Sequence, residues 1–402
     1  MSNFNLDKIR KDFPLLTRNK PPVYFDNACM TFKPEPVIKA IEEYYREYPA
    51  CSERSNHKLG ELVNWGIKEA RKIVADFINA ESEEIIFTRN TTEGINLVAK
   101  SFDFQKDDEV LISDKEHNSN LVPWQILRDE KGIKLGIIKS KEDNAFDLGE
   151  LKNKLSPRTK LVSVVFASNL DGVTNPIKEI VKIAHQNGAN VLVDAAQAAG
   201  HQKINIRDLD CDFLAFSGHK MLGPTGTGVL FVKRKLIAEL KPFIVGGGTL
   251  ENSTYENHEF LTGPERFEAG LQDYAGIIGL KEAAKYLVDI GFENIKSQER
   301  KLNKIITEGI KNLPQIKIIG PANPDDRGGI INFYHQKMAS HEIALLLDKT
   351  YNIMVRSGRH CVHSWFNSRG VKDSVRASVY FYNTPDEAEY FVESLKKILK
   401  LV

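Results

Sequence analysis

Ser217-Gly218-His219-Lys220 follows an apolar run, Cys211-Asp212-Phe213-Leu214-Ala215-Phe216. It precedes Gly223-Pro224-Thr225-Gly226-Thr227-Gly228 and a second apolar run, Val229-Leu230-Phe231-Val232. Short continuous apolar runs bounded by glycine and proline predict buried strands. Lys220 is therefore placed at a strand end, in a loop of small residues. A loop lysine ordinarily keeps its ammonium in water, but the flanking sequence argues for a different role. Asn190-Val191-Leu192-Val193-Asp194 is a further buried-strand pattern that ends in a carboxylate, and Gln197 follows it. A carboxylate closing so apolar a run needs a cationic partner.

Outward from this pair, strands and helices alternate. Tyr24-Phe25-Asp26-Asn27-Ala28-Cys29-Met30 reads as a strand entering a turn. Helices are predicted over 36–48 and 59–79, with Arg54-Ser55-Asn56-His57 a polar loop between them. Strands are predicted at 84–88, 110–113, 134–139 and 161–167, and helices from 91, from 121 and over 177–186. Asn90 and Glu93 have the spacing of a capping box at the helix that opens with Thr91-Thr92. Continuous apolar strands alternating with helices argue a mainly parallel sheet covered on both faces. Beyond Arg266-Phe267-Glu268-Ala269-Gly270 the order changes. Helices at 273–290 and 292–313 lead into strands at 316–319, 330–334, 353–356 and 376–382, with a helix over 340–351. Thr384-Pro385-Asp386-Glu387 is a capping box with proline at the first helical position, opening the last helix. The mixed order predicts a second, smaller α+β domain. The expected division is a large domain over 21–284 and a small one formed by 1–20 and 285–402.

Ligands of open α/β sheets bind at the carboxyl ends of strands. Thr91, His117, Asn169, Asp194, Gln197 and Lys220 all fall at or just beyond such ends. A Schiff-base lysine needs a partly desolvated amine near other polar groups. A lysine and an aspartate on neighbouring strand ends are the two fixed points that pyridoxal phosphate requires, one for its aldehyde carbon and one for its pyridine nitrogen. A second stretch, Arg356-Ser357-Gly358-Arg359-His360-Cys361, puts a loop cysteine beside a guanidinium and an imidazole, which predicts a reactive thiolate. Arg376, 15 residues further on, opens the next predicted strand.

At these residues the chain resembles the class V, fold-type I pyridoxal-phosphate enzymes, and within them the cysteine desulfurase and selenocysteine lyase group. The resemblance runs from the first helix to the last. It implies that Lys220 carries the cofactor, that His117 stacks on its ring and moves protons, and that Asp194 holds the ring nitrogen. Asn169 and Gln197 are expected at the ring hydroxyl, Asn169 also at the substrate carboxylate. Thr91, Thr92, Ser217 and His219 are expected at the phosphate. Arg356-Ser357-Gly358-Arg359-His360-Cys361 resembles the segment of the group II desulfurases in which the cysteine, here Cys361, attacks the substrate sulfur and becomes a persulfide. Arg356 and Arg376 are then expected to bind substrate, Arg376 by a bidentate grip on the α-carboxylate. The implied function is conversion of L-cysteine to L-alanine by a homodimer. The sulfur passes to an acceptor protein for iron–sulfur cluster assembly or another delivery route. Selenocysteine lyase, or another class V lyase or epimerase, is the alternative. Three departures from the family pattern stand out, and those at Cys29-Met30 and Leu271 feed that alternative. Cys29-Met30 replace small residues, Asn90 replaces a glycine, and Leu271 replaces a threonine whose hydroxyl would reach the partner subunit's phosphate.

Bulk properties fit a globular protein. The 402 residues are 42% hydrophobic and 27% charged, and 55 basic against 54 acidic residues give a net charge of +1. That balance gives no support to nucleic-acid or anionic-membrane binding, and no apolar run approaches the roughly 20 residues that span a bilayer. Met1-Ser2-Asn3-Phe4-Asn5-Leu6-Asp7 lacks the basic start and apolar stretch of a signal peptide. Cys29, Cys51, Cys211 and Cys361 show no C-x-x-C spacing, so neither a metal site nor a disulfide framework is expected, and a reducing cytoplasm fits best.

Overall fold

Seven strands build the main sheet, and their order fixes where a site can form. The computed structural model describes residues 4–52 and 55–400. Residues 1–3, 53, 401 and 402 lie outside the described residues, as does Arg54 of the expected polar loop. In chain order the first strands are β1 (Val23–Tyr24), β2 (Ile85–Thr88), β3 (Glu109–Ser113), β4 (Lys134–Ile138), β5 (Thr159–Val165), β6 (Asn190–Asp194), β7 (Phe213–Ser217) and β8 (Gly228–Val232). The main sheet runs β2-β8-β7-β6-β5-β3-β4. From β7 to β4 every pairing is parallel, while β8 is antiparallel to both β7 and β2. The reversal follows from chain length: the connection 218–227 that carries Lys220 is too short for a crossover helix. Side chains alternate between two apolar layers. Val191, Val193, Leu214 and Phe216 join one core, and Leu192, Phe213 and Ala215 the other. Both faces of the sheet are thus dry, as its continuous apolar runs predict. Each fully buried large aliphatic or aromatic side chain there contributes roughly 1.5–3 kcal/mol.

The later strands are β9 (Leu250–Ser253), β10 (His258–Phe260), β11 (Ile316–Ile319), β12 (Ile330–His335), β13 (Ile353–Met354), β14 (Arg356–Gly358) and β15 (Ser374–Ser378). A four-stranded antiparallel sheet, β11-β12-β15-β14, has its own core with Leu302, Ile306, Phe333 and Phe391. The position expected to divide the domains, 285, lies inside the helix Tyr274–Ile290. From the N-terminal segment, the Phe13 ring meets Tyr286, Phe381 and Tyr382 at centroid distances of 6.0, 6.2 and 4.7 Å.

Three local expectations are corrected. The strand expected over 376–382 is β15, which starts at Ser374 and ends at Ser378, so Arg376 is mid-strand. Val379-Tyr380-Phe381-Tyr382 is apolar because it is wholly buried, not because it pairs. The strand expected over 353–356 is split: β13 pairs with β1, while Arg356 begins β14 and pairs with β15. The Asn90 capping box is half formed. Asn90 Oδ1 accepts from the Glu93 N–H at 3.0 Å, but the Glu93 carboxylate accepts from the Arg89 N–H. Asn90 itself is fully extended (φ −179°), which presents the Arg89 amide in its place. The hairpin β9–β10 escapes sequence reading because it is mostly exposed and lacks apolar alternation.

Candidate active site

β3→β4 and β5→β6 step away from each other across the sheet, so the carboxyl ends of β3 and β5 flank the point where strand order reverses. Open α/β sheets bind ligands there. A cavity of about 250 Å³ lies at these ends. The loop after β3 brings His117 to it, the loop after β5 brings Asn169, and β6 brings Asp194 with Gln197 close behind. β7 ends in Ser217 at the same cavity, with His219 and Lys220 on the turn that follows. Thr91 and Thr92 come from the start of the helix Thr91–Ser101, and Arg356, Cys361 and Arg376 from the smaller sheet and its loop. Every residue expected at the site is therefore on one cavity wall. Cys29, which sequence reading also expected near the site, lines it too, as do Ala28, Ser119 and His360, which it did not include.

Lys220 is half-buried, and desolvation lowers its pKa; Asp194 opposes that shift, and Arg376 adds to it. Asp194 is buried, and burial raises its pKa against the Ala196 N–H (2.9 Å) and the nearby Lys220 charge. Burial thus pushes both members of the pair toward neutrality, and neither fully offsets the other. The turn bearing Lys220 is clamped by the N-terminal segment. Lys33 Nζ donates to the carbonyls of Thr31 (2.5 Å) and His219 (3.2 Å), and Leu222 N–H donates to Thr31 Oγ1 (2.9 Å). Burial takes the Lys33 pKa down to about 8.

At one end of the cavity hydroxyls gather on a helix N-terminus. Ser217 Oγ accepts from Thr91 N–H at 2.8 Å and lies 2.7 Å from Thr91 Oγ1. Thr92 Oγ1 lies 2.7 Å from Ser119 Oγ. His219 is held down to about 4 by burial and the neighbouring Lys220. Hydroxyls and free helix amides at a helix start favour an anion. His117 Nδ1 accepts from Ser119 N–H at 3.1 Å, and burial with the Lys220 charge holds its pKa down to about 3. The neutral ring therefore carries its proton on Nε2. Glu116, which sequence reading passed over, anchors this loop. Its carboxylate accepts from Asn120 Nδ2 (2.7 Å) and Val165 N–H (2.9 Å), tying the loop after β3 to the end of β5.

The cysteine loop differs from the sequence-based picture. Arg359 does not sit against the thiol: its guanidinium donates to Lys372 O (3.0 Å) and Asn367 Oδ1 (3.0 Å). His360 is buried on Ser374 Oγ (2.9 Å), and burial drives its pKa far down, so it brings no positive charge. What presents Cys361 is backbone geometry. His360 and Cys361 are both left-handed, at φ 49° and 58°, a conformation that costs L residues roughly 1–2 kcal/mol each. Hydrogen bonds from the large sheet's loops hold it: Asn169 Nδ2 donates to His360 O, and Asn118 N–H to Cys361 O, each at 2.7 Å. Asn169 thus holds the cysteine loop through its amide nitrogen. Arg376 Nη1 donates to Asn169 O (3.0 Å) and Nη2 to Asp26 Oδ1 (3.5 Å). Gln197 Nε2 donates to Ala28 O at 2.7 Å.

The residues fit pyridoxal phosphate. Asn169 Oδ1 and Arg376 Nε are buried without a partner, so the site holds unmet acceptor and donor capacity. A buried carboxylate, a desolvated lysine and a hydroxyl-rich helix start match the ring nitrogen, aldehyde and phosphate in turn.

The class-V aminotransferase family description matches residues 23–391 of the chain. A Pyrococcus abyssi protein described as a probable cysteine desulfurase is 41% identical over 397 residues, covering 98% of each chain. A cysteine desulfurase of Escherichia coli O8 is 39% identical, covering 99% of each. Among solved structures, an apo cysteine desulfurase from Thermococcus onnurineus NA1 superposes with a TM-score of 0.95 at 39% identity, covering 98% of each chain. The E. coli cysteine desulfurase CsdA, in an S-sulfonic acid form, superposes with a TM-score of 0.91 at 30% identity, covering 99% of each.

Proposed function

The chain belongs to the class-V aminotransferase family, and on that premise we propose that it is a pyridoxal-phosphate-dependent cysteine desulfurase. The observation that carries the reading is one cavity lined by Lys220, Asp194, Arg376 and Cys361. Bound there, pyridoxal phosphate supplies an electron sink for an amino acid joined to its aldehyde carbon. Lys220 would hold the cofactor, and its desolvated amine would carry a proton. Asp194 keeps the ring nitrogen cationic, and Thr91, Thr92, Ser217 and His219 hold the phosphate. His117, a neutral imidazole on the cavity wall, would face the ring and relay protons with Lys220. Asn169 and Gln197 orient the ring hydroxyl. Arg376, with Arg356, binds the α-carboxylate; Arg376 is already buried, so little ordering remains to be done. Cys361 takes the sulfur. Its thiolate bonds to the substrate sulfur, the carbon–sulfur bond breaks with its electron pair staying on carbon, and that carbon takes a proton. L-cysteine plus the Cys361 thiol thus give L-alanine plus a Cys361 persulfide.

The protein works as a homodimer, in the cytoplasm, and hands its sulfur to an acceptor protein. Trp65 and Leu62, exposed three residues apart on one helix, and the exposed run Phe243-Ile244-Val245 support a self-association surface. Among the described residues no helix is long and apolar enough to cross a membrane. Incubating the cofactor-loaded protein with L-cysteine, L-selenocysteine and cysteine sulfinate tests the reading. Alanine and, with reductant, sulfide are expected from L-cysteine. Pyruvate with ammonia, or D-amino acid, in place of alanine would move the lyase or epimerase alternative ahead.

Leu271 gives a second test. Arg71 pairs with Glu268 through two 2.8 Å contacts, and Gly270 (φ 82°) donates its N–H to Gly247 O at 2.7 Å, which fixes this segment. Leu271 then stands 75% exposed with no hydroxyl to offer a partner subunit. One charge-assisted hydrogen bond contributes roughly 1.5–3 kcal/mol. Leu271→Thr should therefore slow cofactor loss on dialysis about tenfold or more. An unchanged rate in a protein shown to be dimeric would count against this placement of the segment.

A further inference from the structure

Two guanidiniums share one carboxylate beside the cavity. Arg376 Nη2 is 3.5 Å from Asp26 Oδ1, and Arg356 Nη1 is 3.9 Å from Asp26 Oδ2. Arg376 is buried and fixed by Asn169 O, while the Arg356 side chain is 40% exposed and sits on an edge strand. The nearer contact of Arg356 is with Cys29, whose Sγ lies 2.6 Å from the same Nη1. Cys29 belongs to the tight turn after β1, held by Cys29 N–H to Asp26 O at 3.0 Å and Tyr24 OH to Met30 O at 2.9 Å. The turn thus offers Arg356 two acceptors, the Cys29 sulfur and, further off, the Asp26 carboxylate.

We infer that Cys29 and Asp26 are positioning residues for the substrate carboxylate: Asp26 anchors Arg376, and Cys29 draws Arg356 away from Asp26 so that its charge faces the cavity. Two cations against one anion leave one positive charge unpaired, which matches a single carboxylate. If Arg356 closed on Asp26, both guanidiniums would be turned onto one carboxylate and the unpaired positive charge would no longer face the cavity. A sulfur acceptor on Nη1 holds the guanidinium short of that collapse. Cys29 therefore acts through Arg356 and not on the substrate sulfur, which explains a second thiol on the wall of a cavity whose chemistry needs one. The inference rests on the proposed use of the two arginines for an α-carboxylate.

The test separates carboxylate recognition from sulfur chemistry. The cofactor-loaded protein is titrated by absorbance with L-alanine and, separately, with ethylamine, which lacks the carboxylate. Cys29→Ala should weaken L-alanine about tenfold, the order of one lost hydrogen-bonded contact, and leave ethylamine within about twofold. With L-cysteine the loss should fall in KM and not in kcat. Cys29→Ser, which keeps an acceptor, should recover most of the affinity. Asp26→Asn, which keeps the side-chain shape, should likewise weaken L-alanine and not ethylamine. Equal weakening of both amines, no weakening of either, or persulfide found on Cys29 after turnover would overturn the inference. Because L-alanine binding involves no sulfur transfer, the titration remains readable even if the wild-type protein released no sulfur.

Discussion

Lys220→Ala should abolish alanine release from L-cysteine and leave a protein that no longer fixes its cofactor. Removing a group that both anchors the cofactor and moves a proton costs on the order of 10³-fold or more in rate. The physical basis is placement. Lys220 follows β7 on a turn clamped by Thr31 and Lys33, and it faces the buried Asp194 at the end of the adjacent β6. Desolvation lowers its pKa, which favours the free amine that attacks a carbonyl. Purified wild-type protein should be yellow, and borohydride should attach the cofactor to Lys220, located by peptide mass spectrometry. In Lys220→Ala the mass addition should vanish. A cofactor fixed by borohydride to a different lysine of the variant would sink the assignment of Lys220.

Cys361→Ala should separate substrate binding from sulfur transfer. The variant keeps Lys220, Arg376 and the hydroxyls around Thr91, so it should still change colour with L-cysteine. Without a nucleophile for the sulfur it should release alanine at least about 10²-fold more slowly. Selenocysteine has the weaker carbon–chalcogen bond, and its cleavage should be less impaired. After wild-type turnover, alkylation should trap the extra sulfur on Cys361. Turnover of cysteine by Cys361→Ala at the wild-type rate would remove Cys361 from the mechanism and favour a lyase. The loop also predicts a backbone requirement. Asn169 Nδ2 holds the His360 carbonyl, so Asn169→Ala should release the left-handed pair His360-Cys361 and slow sulfur transfer more than cofactor binding.

The main sheet and most of the site were legible because their signals are local. Val191-Leu192-Val193 and Phe213-Leu214-Ala215-Phe216 must be buried on both faces, and a parallel strand with covered faces places its polar end groups at the ligand edge. That logic locates Asp194, Ser217 and Lys220 without any knowledge of contacts. Thr91 was readable from its helix start for the same reason. The smaller sheet was less legible. Val379–Tyr382 and Ile353–Arg356 carry the apolarity of strands, but sequence cannot say whether burial comes from pairing or from packing.

By itself the sequence determined the strand-and-helix alternation, the strand-end residues and the pairing of one lysine with one aspartate. Each depends on hydrophobic periodicity and on residues close in the chain. Only the tertiary structure decided what surrounds Cys361. Arg359 and His360, its neighbours in sequence, turn to Asn367, Lys372 and Ser374, and the thiol instead shares a cavity with Lys220. Tertiary contact likewise joined Cys29 and Asp26 to Arg356 and Arg376, residues more than 300 positions away, through contacts that cross from the turn after β1 to β14 and β15. Such contacts have no signature in the chain, because side-chain direction at a loop or strand edge is set by what packs against it and not by what precedes it.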